Sequence, residues 1–545
     1  MRYAPRVIDL HRVLSGGARR RRACVAGVLA LGAALWVPGL GAQDARLALR
    51  VWTLRLPGTE LGLDLPDLDG DGRVDLAIAH MAAPTGPARA VSLFLQGPRG
   101  DRFPATPAGT WPVPPDACAF AGGDLDPAPG GELLFLCPGR VVVLRRPAGG
   151  AGWGAHELVE VARVEGFFDY PEGGGLPVWD LVQDLDGDGL PEVLVPVREG
   201  YLLLARKADA PLAARGVLEV PPTLRFGPAF EGQLLNRFLT STSRLRRLVP
   251  IDLDGDGRRD LVAYRERGLA RFLQRPDGSF PRRPDREEPL QTVSAGAGAG
   301  GERKGSDQAF DDVRLDVSDW DGDGRADLVA LRTVGELGLF ESLRTQVILI
   351  RGRADGGFDE ATPAAVILLK GVAGDPVFAD WDGDGARDLI LSSYRVDMFT
   401  NVKRALFDSM SIEYQIHLRR PGAAPFAPDP DHGFDVSVPL EALEKRGGMV
   451  PVELRADVDG DGVRDLVRRA PEGGLEVQLG RIESPLFGAK RLGFDGDRPL
   501  RVGLDRGEPP RVVDLDGDGR DELILEPHGG DDPRARVVRV VGTDG

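Results

Sequence analysis

Seven short segments of this 545-residue chain each place four carboxylates within nine residues. Counted from the first acid, they stand at positions 1, 3, 5 and 9. The sets are Asp67, Asp69, Asp71, Asp75; Asp184, Asp186, Asp188, Glu192; Asp252, Asp254, Asp256, Asp260; and Asp319, Asp321, Asp323, Asp327. Three more follow: Asp380, Asp382, Asp384, Asp388; Asp457, Asp459, Asp461, Asp465; and Asp514, Asp516, Asp518, Glu522. Charge packed this densely repels itself unless a cation sits among it. Calcium, a hard ion that takes roughly 6–8 oxygens, suits such a loop, whereas magnesium holds its waters too tightly for an all-protein cage. Alternate residues turn inward, and position 7 adds a backbone carbonyl from Arg73, Leu190, Arg258, Arg325, Ala386, Val463 or Arg520. Glycines at positions 4 and 6 permit the curl, including φ > 0. Position 12 holds Ile78, Val195, Ala263, Ala330, Leu391, Arg468 and Leu525, so the bidentate Glu of a helical EF-hand is missing. The expected cofactor is therefore calcium, at about seven sites with one ion per loop. An eighth copy, Asp124 to Glu132, has Ala128 at position 5 and two prolines. It is expected to keep its turn and to hold a metal weakly or not at all.

The elements that position these loops follow from their recurrence. Copies begin at Asp67, Asp124, Asp184, Asp252, Asp319, Asp380, Asp457 and Asp514, which makes one supersecondary unit repeated in a closed or stacked array. After position 9 the chain enters short β-type runs such as Leu76–Ala79, Val193–Val195, Leu261–Tyr264, Leu389–Leu391 and Leu523–Leu525. Further runs follow, among them Val91–Leu95, Val141–Leu144, Tyr201–Leu204, Val347–Ile350 and Leu475–Leu479. Strand-turn-strand-strand units separated by Gly and Pro read as the blades of an all-β propeller.

The phrase Asp-x-Asp-Gly-Asp-Gly-x-x-Asp-Leu at this spacing resembles the FG-GAP/VCBS repeats of bacterial exported proteins and of integrin α-subunit propellers. The resemblance covers roughly residues 45–545. It implies a β-propeller whose calcium loops join the first and second strands of each blade, with the seven acid sets as ligands. Eight phrases predict eight blades. The alternative is seven blades, with the second unit absorbed as an inserted hairpin. The last unit is one strand short, and Ala45–Trp52 is expected to supply the missing outer strand and close the ring.

Composition bounds the rest. At 42% hydrophobic and 28% charged the chain is globular, and its formal charge of −16 argues against a nucleic-acid partner. Arg19–Arg22, an apolar run from Ala23 to Val37 and small residues to Ala42 have the order of a secretory signal, giving residues 1–42 as signal and 43–545 as the propeller domain. An uncleaved anchor is the other reading of this segment. Residues 1–42 carry seven Arg and one Asp, so removing that net +6 takes the charge from −16 to −22. The expected location is periplasmic, cell-surface or extracellular, with a monomeric mature chain and no transmembrane span. Cys118 and Cys137 flank the second loop and are either a cross-strand disulfide or two buried free thiols.

These features point to a recognition or adhesion module for protein or glycan. The alternatives are a polysaccharide lyase or hydrolase on the same scaffold, or a passive cell-envelope scaffold. None of the six His forms a metal-type pair or joins a nucleophile motif, and His80 is read as a surface residue just beyond a strand. Tyr394, Arg395, Phe399, Lys403, Arg404 and Phe407, between the second and third strands of the sixth blade, form the candidate ligand patch. They would lie on the face opposite the calcium turns, widened by a loop from Arg332 to Arg344. The other reading is a packing hairpin or short helix. Residues 293–306 read as a flexible low-complexity loop.

Overall fold

Strands apolar on both faces need cover on both sides. Leu76–Met81, Glu132–Cys137 and Glu192–Val197 are of this kind, and they are buried almost throughout. The computed structural model describes residues 47–543, apart from 84–86, 99–101, 126–129, 146–155, 166–174, 181, 207–211, 229–238, 266–267, 292–308, 337–342, 383, 395–408, 423, 440–451, 470–473, 484–490, 497, 504–509 and 527–535. Every named element is a β-strand, and antiparallel sheets of four form eight blades around a ring.

Blade 1 comprises Glu60–Asp64, Leu76–Met81, Arg89–Phe94 and Gly109–Pro112. Blade 2 comprises Ala119–Gly123, Glu132–Cys137, Arg140–Arg145 and Glu157–Arg163, and blade 3 Val182–Gln183, Glu192–Val197, Gly200–Ala205 and Ala213–Glu219. Blade 4 is Leu248–Ile251, Asp260–Arg265, Gly268–Phe272 and Arg286–Pro289. Blade 5 is Ala309–Ser318, Asp327–Glu336, Arg344–Ile350 and Ala365–Lys370. In blade 6 the first strand is split into Val372–Ala373 and Val377–Ala379, followed by Asp388–Tyr394, Ser409–His417 and His432–Pro439. Blade 7 is Val452–Glu453, Leu466–Arg469, Leu475–Gln478 and Leu500–Val502. Two hairpins, Thr223–Pro228 with Leu239–Arg244 and Gly480–Glu483 with Arg491–Phe494, stand outside the blade sheets.

Blade 8 takes Arg511–Val513, Glu522–Leu525 and Val537–Thr543 from the C-terminal end and its outer strand, Leu49–Arg55, from the N-terminal end. The register runs unbroken from Leu49 opposite Thr543 to Arg55 opposite Val537. This pairing covers an edge that would otherwise present unpaired backbone groups. The eight-blade expectation and the closing strand both hold. The seven-blade alternative fails because the second unit builds its own four-stranded sheet.

The core is a chain of clusters between neighbouring blades. Leu68, Val91 and Phe120 join blades 1 and 2; Val262, Leu328 and Phe358 join blades 4 and 5; Val467, Val477 and Leu523 join blades 7 and 8. The seam is closed by Trp52, Leu54, Ile78, Phe94, Phe103, Ile524 and Val540. Burial on this scale is the dominant favourable contribution to folding.

Two expectations are corrected here, and one open alternative is narrowed. No disulfide joins Cys118 and Cys137: Cys118 Sγ turns to Asp116 O at 3.5 Å, while Cys137 packs into the apolar layer between blades 1 and 2. Arg332 and Arg344 belong to strands of blade 5 rather than to a long loop, and Thr333 Oγ1 meets Thr345 Oγ1 between them at 2.8 Å. His80 lies within a strand and is fully buried, its Nε2 2.8 Å from Ser92 Oγ and its Nδ1 2.7 Å from Met81 O. The strand runs on to Met81 and is covered on both faces, so His80 is buried with its neighbours. Burial holds its imidazole below the usual histidine range.

Candidate metal centres

Each acidic loop is pinned at both ends by apolar residues. Position 2, occupied by Leu68, Leu185, Leu253, Trp320, Trp381, Val458 or Leu515, is buried, and so is position 10 at the head of the second strand. Between these anchors the backbone must reverse within a few residues. Gly70 and Gly72 do so at φ of 78° and 83°, and Gly255 and Gly257 at 80° and 84°.

The curl is held by its own acids. In blade 1, Asp67 accepts from Gly70 N at 2.8 Å and from Gly72 N at 2.9 Å. Asp69 accepts from Asp71 N at 3.1 Å, and Asp71 from Arg73 N at 2.9 Å. The same four bonds recur in blade 4 on Asp252, Asp254 and Asp256, and in blade 7 on Asp457, Asp459 and Asp461. Three or more carboxylates per loop then bring ligand atoms within 4.8 Å of one another: Asp67, Asp69 and Asp71; Asp184, Asp186 and Glu192; Asp252, Asp254 and Asp260; Asp319, Asp321 and Asp327; Asp380, Asp382 and Asp388. Two further groups of this kind occur among the described residues.

Position 9 has a second task. Asp75 accepts from Leu68 N at 2.9 Å and from Gln96 N at 2.8 Å, tying the loop to the end of the third strand. Asp260, Asp388 and Asp465 do the same with Leu253 and Gln274, Trp381 and Arg419, and Val458 and Gly480. These carboxyls are almost fully buried, and burial raises Asp75, Asp260 and Asp388 to about 6 and Asp327 and Asp465 to about 7. Asp327 Oδ2 is buried without a hydrogen-bond partner. A divalent cation fits this donor set: it would use the lone pairs left by the backbone bonds and remove the cost of several ionised acids in one pocket.

The FG-GAP-like repeat model matches residues 252–330 and 319–391, which span the loops of blades 4 and 5 and the start of blade 6. The chain carries FG-GAP-like repeats on a β-propeller. No curated protein matches this FG-GAP propeller. Among solved structures, one of an Agrocybe aegerita lectin, described as recognising non-reducing terminal N-acetylglucosamine, is 16% identical and covers 71% of this chain and 86% of its own, with a TM-score of 0.36. The V. cholerae biofilm matrix protein Bap1 is 12% identical over 92% of this chain and 91% of its own, with a TM-score of 0.34.

Neighbouring loops of the FG-GAP propeller are linked through position 8. Gly131 N donates to Asp67 O at 3.1 Å, Ala326 N to Asp252 O at 2.8 Å and Asp521 N to Asp457 O at 2.7 Å. Arg387 reaches Asp319 O at 2.7 Å and Arg259 reaches Asp184 O at 3.4 Å through their guanidinium groups. Val74 N donates to Leu515 O at 3.2 Å, carrying the relay across the seam. In each case position 8 of one loop meets the start of the preceding one.

Arginines also enter the loops. Arg73, Arg258 and Arg325 at position 7 pair with Asp71, Asp256 and Asp323 of their own loops. Where position 9 is Glu, an arginine from elsewhere meets its second oxygen: Arg215 lies 3.7 Å from Glu192 and 2.9 Å from Asp186, and Arg102 pairs with Glu522. Sequence reasoning missed both, although Glu at position 9 marks these two loops among the seven.

Five of the acid sets thus bring three carboxylates each within ligand distance of one another. In the second loop, Glu132 Oε2 still accepts from Leu125 N at 2.7 Å, while Asp126 and Ala128 lie outside the described residues. Of the ligand patch, Tyr394 ends the second strand of blade 6 and packs on the cluster joining blades 6 and 7. Arg395, Phe399, Lys403, Arg404 and Phe407 lie outside the described residues, as do 293–306 and the segment 1–42. No described helix is long and apolar enough to cross a membrane.

Proposed function

We propose that this chain is an exported, calcium-stabilised propeller that acts as a recognition or adhesion module for protein or glycan. The observation that carries the calcium part is the recurrence of carboxylate groups with ligand atoms within 4.8 Å, each organised by the same backbone bonds. Asp67, Asp69, Asp71, Asp75 and the Arg73 carbonyl, with their counterparts in the loops of blades 3 to 7, would hold the ions. Calcium there supplies charge compensation and rigidity. The recognition part is supported by the division of labour in a blade. One end of the ring is given to acidic loops, which leaves the turns between second and third strands to present side chains on a rigid frame. His80 and His417 are buried and bonded to the Met81 and Ala427 carbonyls, at 2.7 and 2.8 Å, which suits packing rather than proton transfer.

The test is an array of glycans and cell-envelope proteins probed with the full chain in millimolar calcium. Saturable binding, lost with chelator and lost when residues 395–407 are replaced by a Gly-Ser linker, is the expected result. Turnover of a polysaccharide, or binding that survives the linker replacement unchanged, sinks this reading.

A further inference from the structure

Four turns between third and fourth strands close with one backbone bond: Gly97 N to Arg102 O, Arg275 N to Ser279 O, Arg353 N to Gly357 O and Arg420 N to Pro425 O. A phenylalanine follows each acceptor, and Phe103, Phe280, Phe358 and Phe426 join clusters that reach the preceding blade. The turn thus carries the residue before the phenylalanine to the border with that blade. This residue is Ser279, Gly357 or Pro425 in blades 4, 5 and 6, and Arg102 in blade 1.

Arg102 reaches across the seam into the acidic loop of blade 8. Its Nη1 pairs with Glu522 Oε1, and its Nη2 stands 3.2 Å from Asp516 Oδ2 and 4.0 Å from Asp518 Oδ2. The arginine side chain is 3% exposed and Glu522 0%. Behind it, the guanidinium carbon lies 5.6 Å from the ring centroid of Trp52, on the strand that closes the ring. One side chain therefore touches blade 1, the loop of blade 8 and the closing strand.

We infer that the loop of blade 8 is not a calcium site: Arg102 supplies its cation from within the chain, and this latches the first blade to the last whether or not calcium is present. Three carboxylates that would face the ion already face a guanidinium. A calcium ion entering there would meet a like charge at contact distance, and an expelled Arg102 would leave its place against Trp52. Glu in place of Asp at position 9 fits this role, because the extra methylene carries the second oxygen inward to meet the arginine while Oε2 keeps the Leu515 N bond at 3.0 Å. Arg215 in blade 3 is an intermediate case: it touches the corresponding acids but is 24% exposed and has water to turn into.

The inference rests on the calcium reading above, and the experiment separates the two. Full chain is equilibrated with calcium, freed of excess and analysed for bound metal per chain. Asp254→Asn should lose one ion, Asp516→Asn should lose none, and Arg102→Ala should gain one. Loss of an ion in Asp516→Asn overturns the inference alone, and so does an unchanged count in an Arg102→Ala chain with native circular dichroism. Should Arg102→Ala fail to fold, the Asp516→Asn count decides. A chain with no bound calcium overturns the calcium reading, and this inference with it.

Discussion

Blades 1 and 8 meet at the seam and handle the same concentration of charge in different ways. In blade 1, Asp75 gives both oxygens to backbone N–H groups, from Leu68 and Gln96, while Asp71 pairs with Arg73 of its own loop. In blade 8, one oxygen of Glu522 accepts from Leu515 N and the other forms an ion pair with Arg102. The loops share Asp-x-Asp-Gly-Asp-Gly-Arg and differ at position 8, Val74 against Asp521, by one methylene at position 9, and by what the adjoining turn brings. A repeat can therefore keep its turn while changing the source of its counter-charge. The choice falls where the ring has its ends to hold, since the closing strand and Arg102 act on the same junction.

The effect that reaches most of the ring, and so tests this comparison first, is calcium removal. Blades 4 to 7, whose position 9 is Asp, should loosen when calcium is chelated, while the seam should not. A site held at a hundred times its dissociation constant contributes about 2.7 kcal/mol, which is roughly a hundredfold in local opening. Hydrogen exchange should therefore accelerate by about that factor in Asp260–Arg265, Asp388–Tyr394 and Leu466–Arg469. Exchange in Glu522–Leu525 and Leu49–Arg55 should change far less. Uniform acceleration around the ring would show that the seam depends on calcium like every other junction.

A second test turns the comparison into opposite signs. With chelator present, Asp260→Asn removes a carboxylate from a crowded, uncompensated set and keeps an acceptor for Leu253 or Gln274, so stability should hold or rise. Glu522→Gln under the same conditions removes the main partner of a buried guanidinium, and breaking a buried pair in this way costs about 3–5 kcal/mol. Urea unfolding would measure both. Equal effects of the two substitutions would mean that Arg102 contributes no more than an ordinary surface pair.

Much of this was legible in the sequence because the repeat states its constraints locally. Acids at positions 1, 3 and 5 bond backbone only two to five residues away, so their spacing alone fixed the curl, and the glycines at positions 4 and 6 announced positive φ. The blade count followed from counting the repeated phrases, and the closing strand from counting strands in the last unit. The second bond of position 9 was not legible: Asp75 meets Gln96 21 residues on, and only the folded blade brings them together. Arg102 was further out of reach, since it acts on acids more than 400 residues away through a seam that exists only once the ring is closed. His80 was misplaced for a smaller reason. The run was ended at Ala79, two residues short of Met81, and the folded strand is covered on both faces, so His80 is buried with it.

The smallest expected effect comes from acidity, and its sign separates ion-dependent loops from the latched one. Burial raises the position-9 acids, with Asp75, Asp260 and Asp388 at about 6 and Asp327 and Asp465 at about 7, above unfolded values of 3.8. Glu522 is also raised by burial, to about 7 from 4.5, with Arg102 pulling it down. Between about pH 4 and 7 the metal-free native state thus holds more protons than the unfolded chain, so its stability falls as pH rises through that window. The melting temperature in chelator should drop from pH 5 to pH 7.5, on the order of 5 °C for a handful of such groups. Calcium binds the ionised acids, so with calcium the loops that accept it should lose this slope or reverse it. What remains belongs to groups that calcium does not reach, and Arg102→Ala should shrink that remainder by opening blade 8 to the ion. A melting temperature in chelator that climbs with pH would mean that these carboxyls are ionised and compensated without any metal.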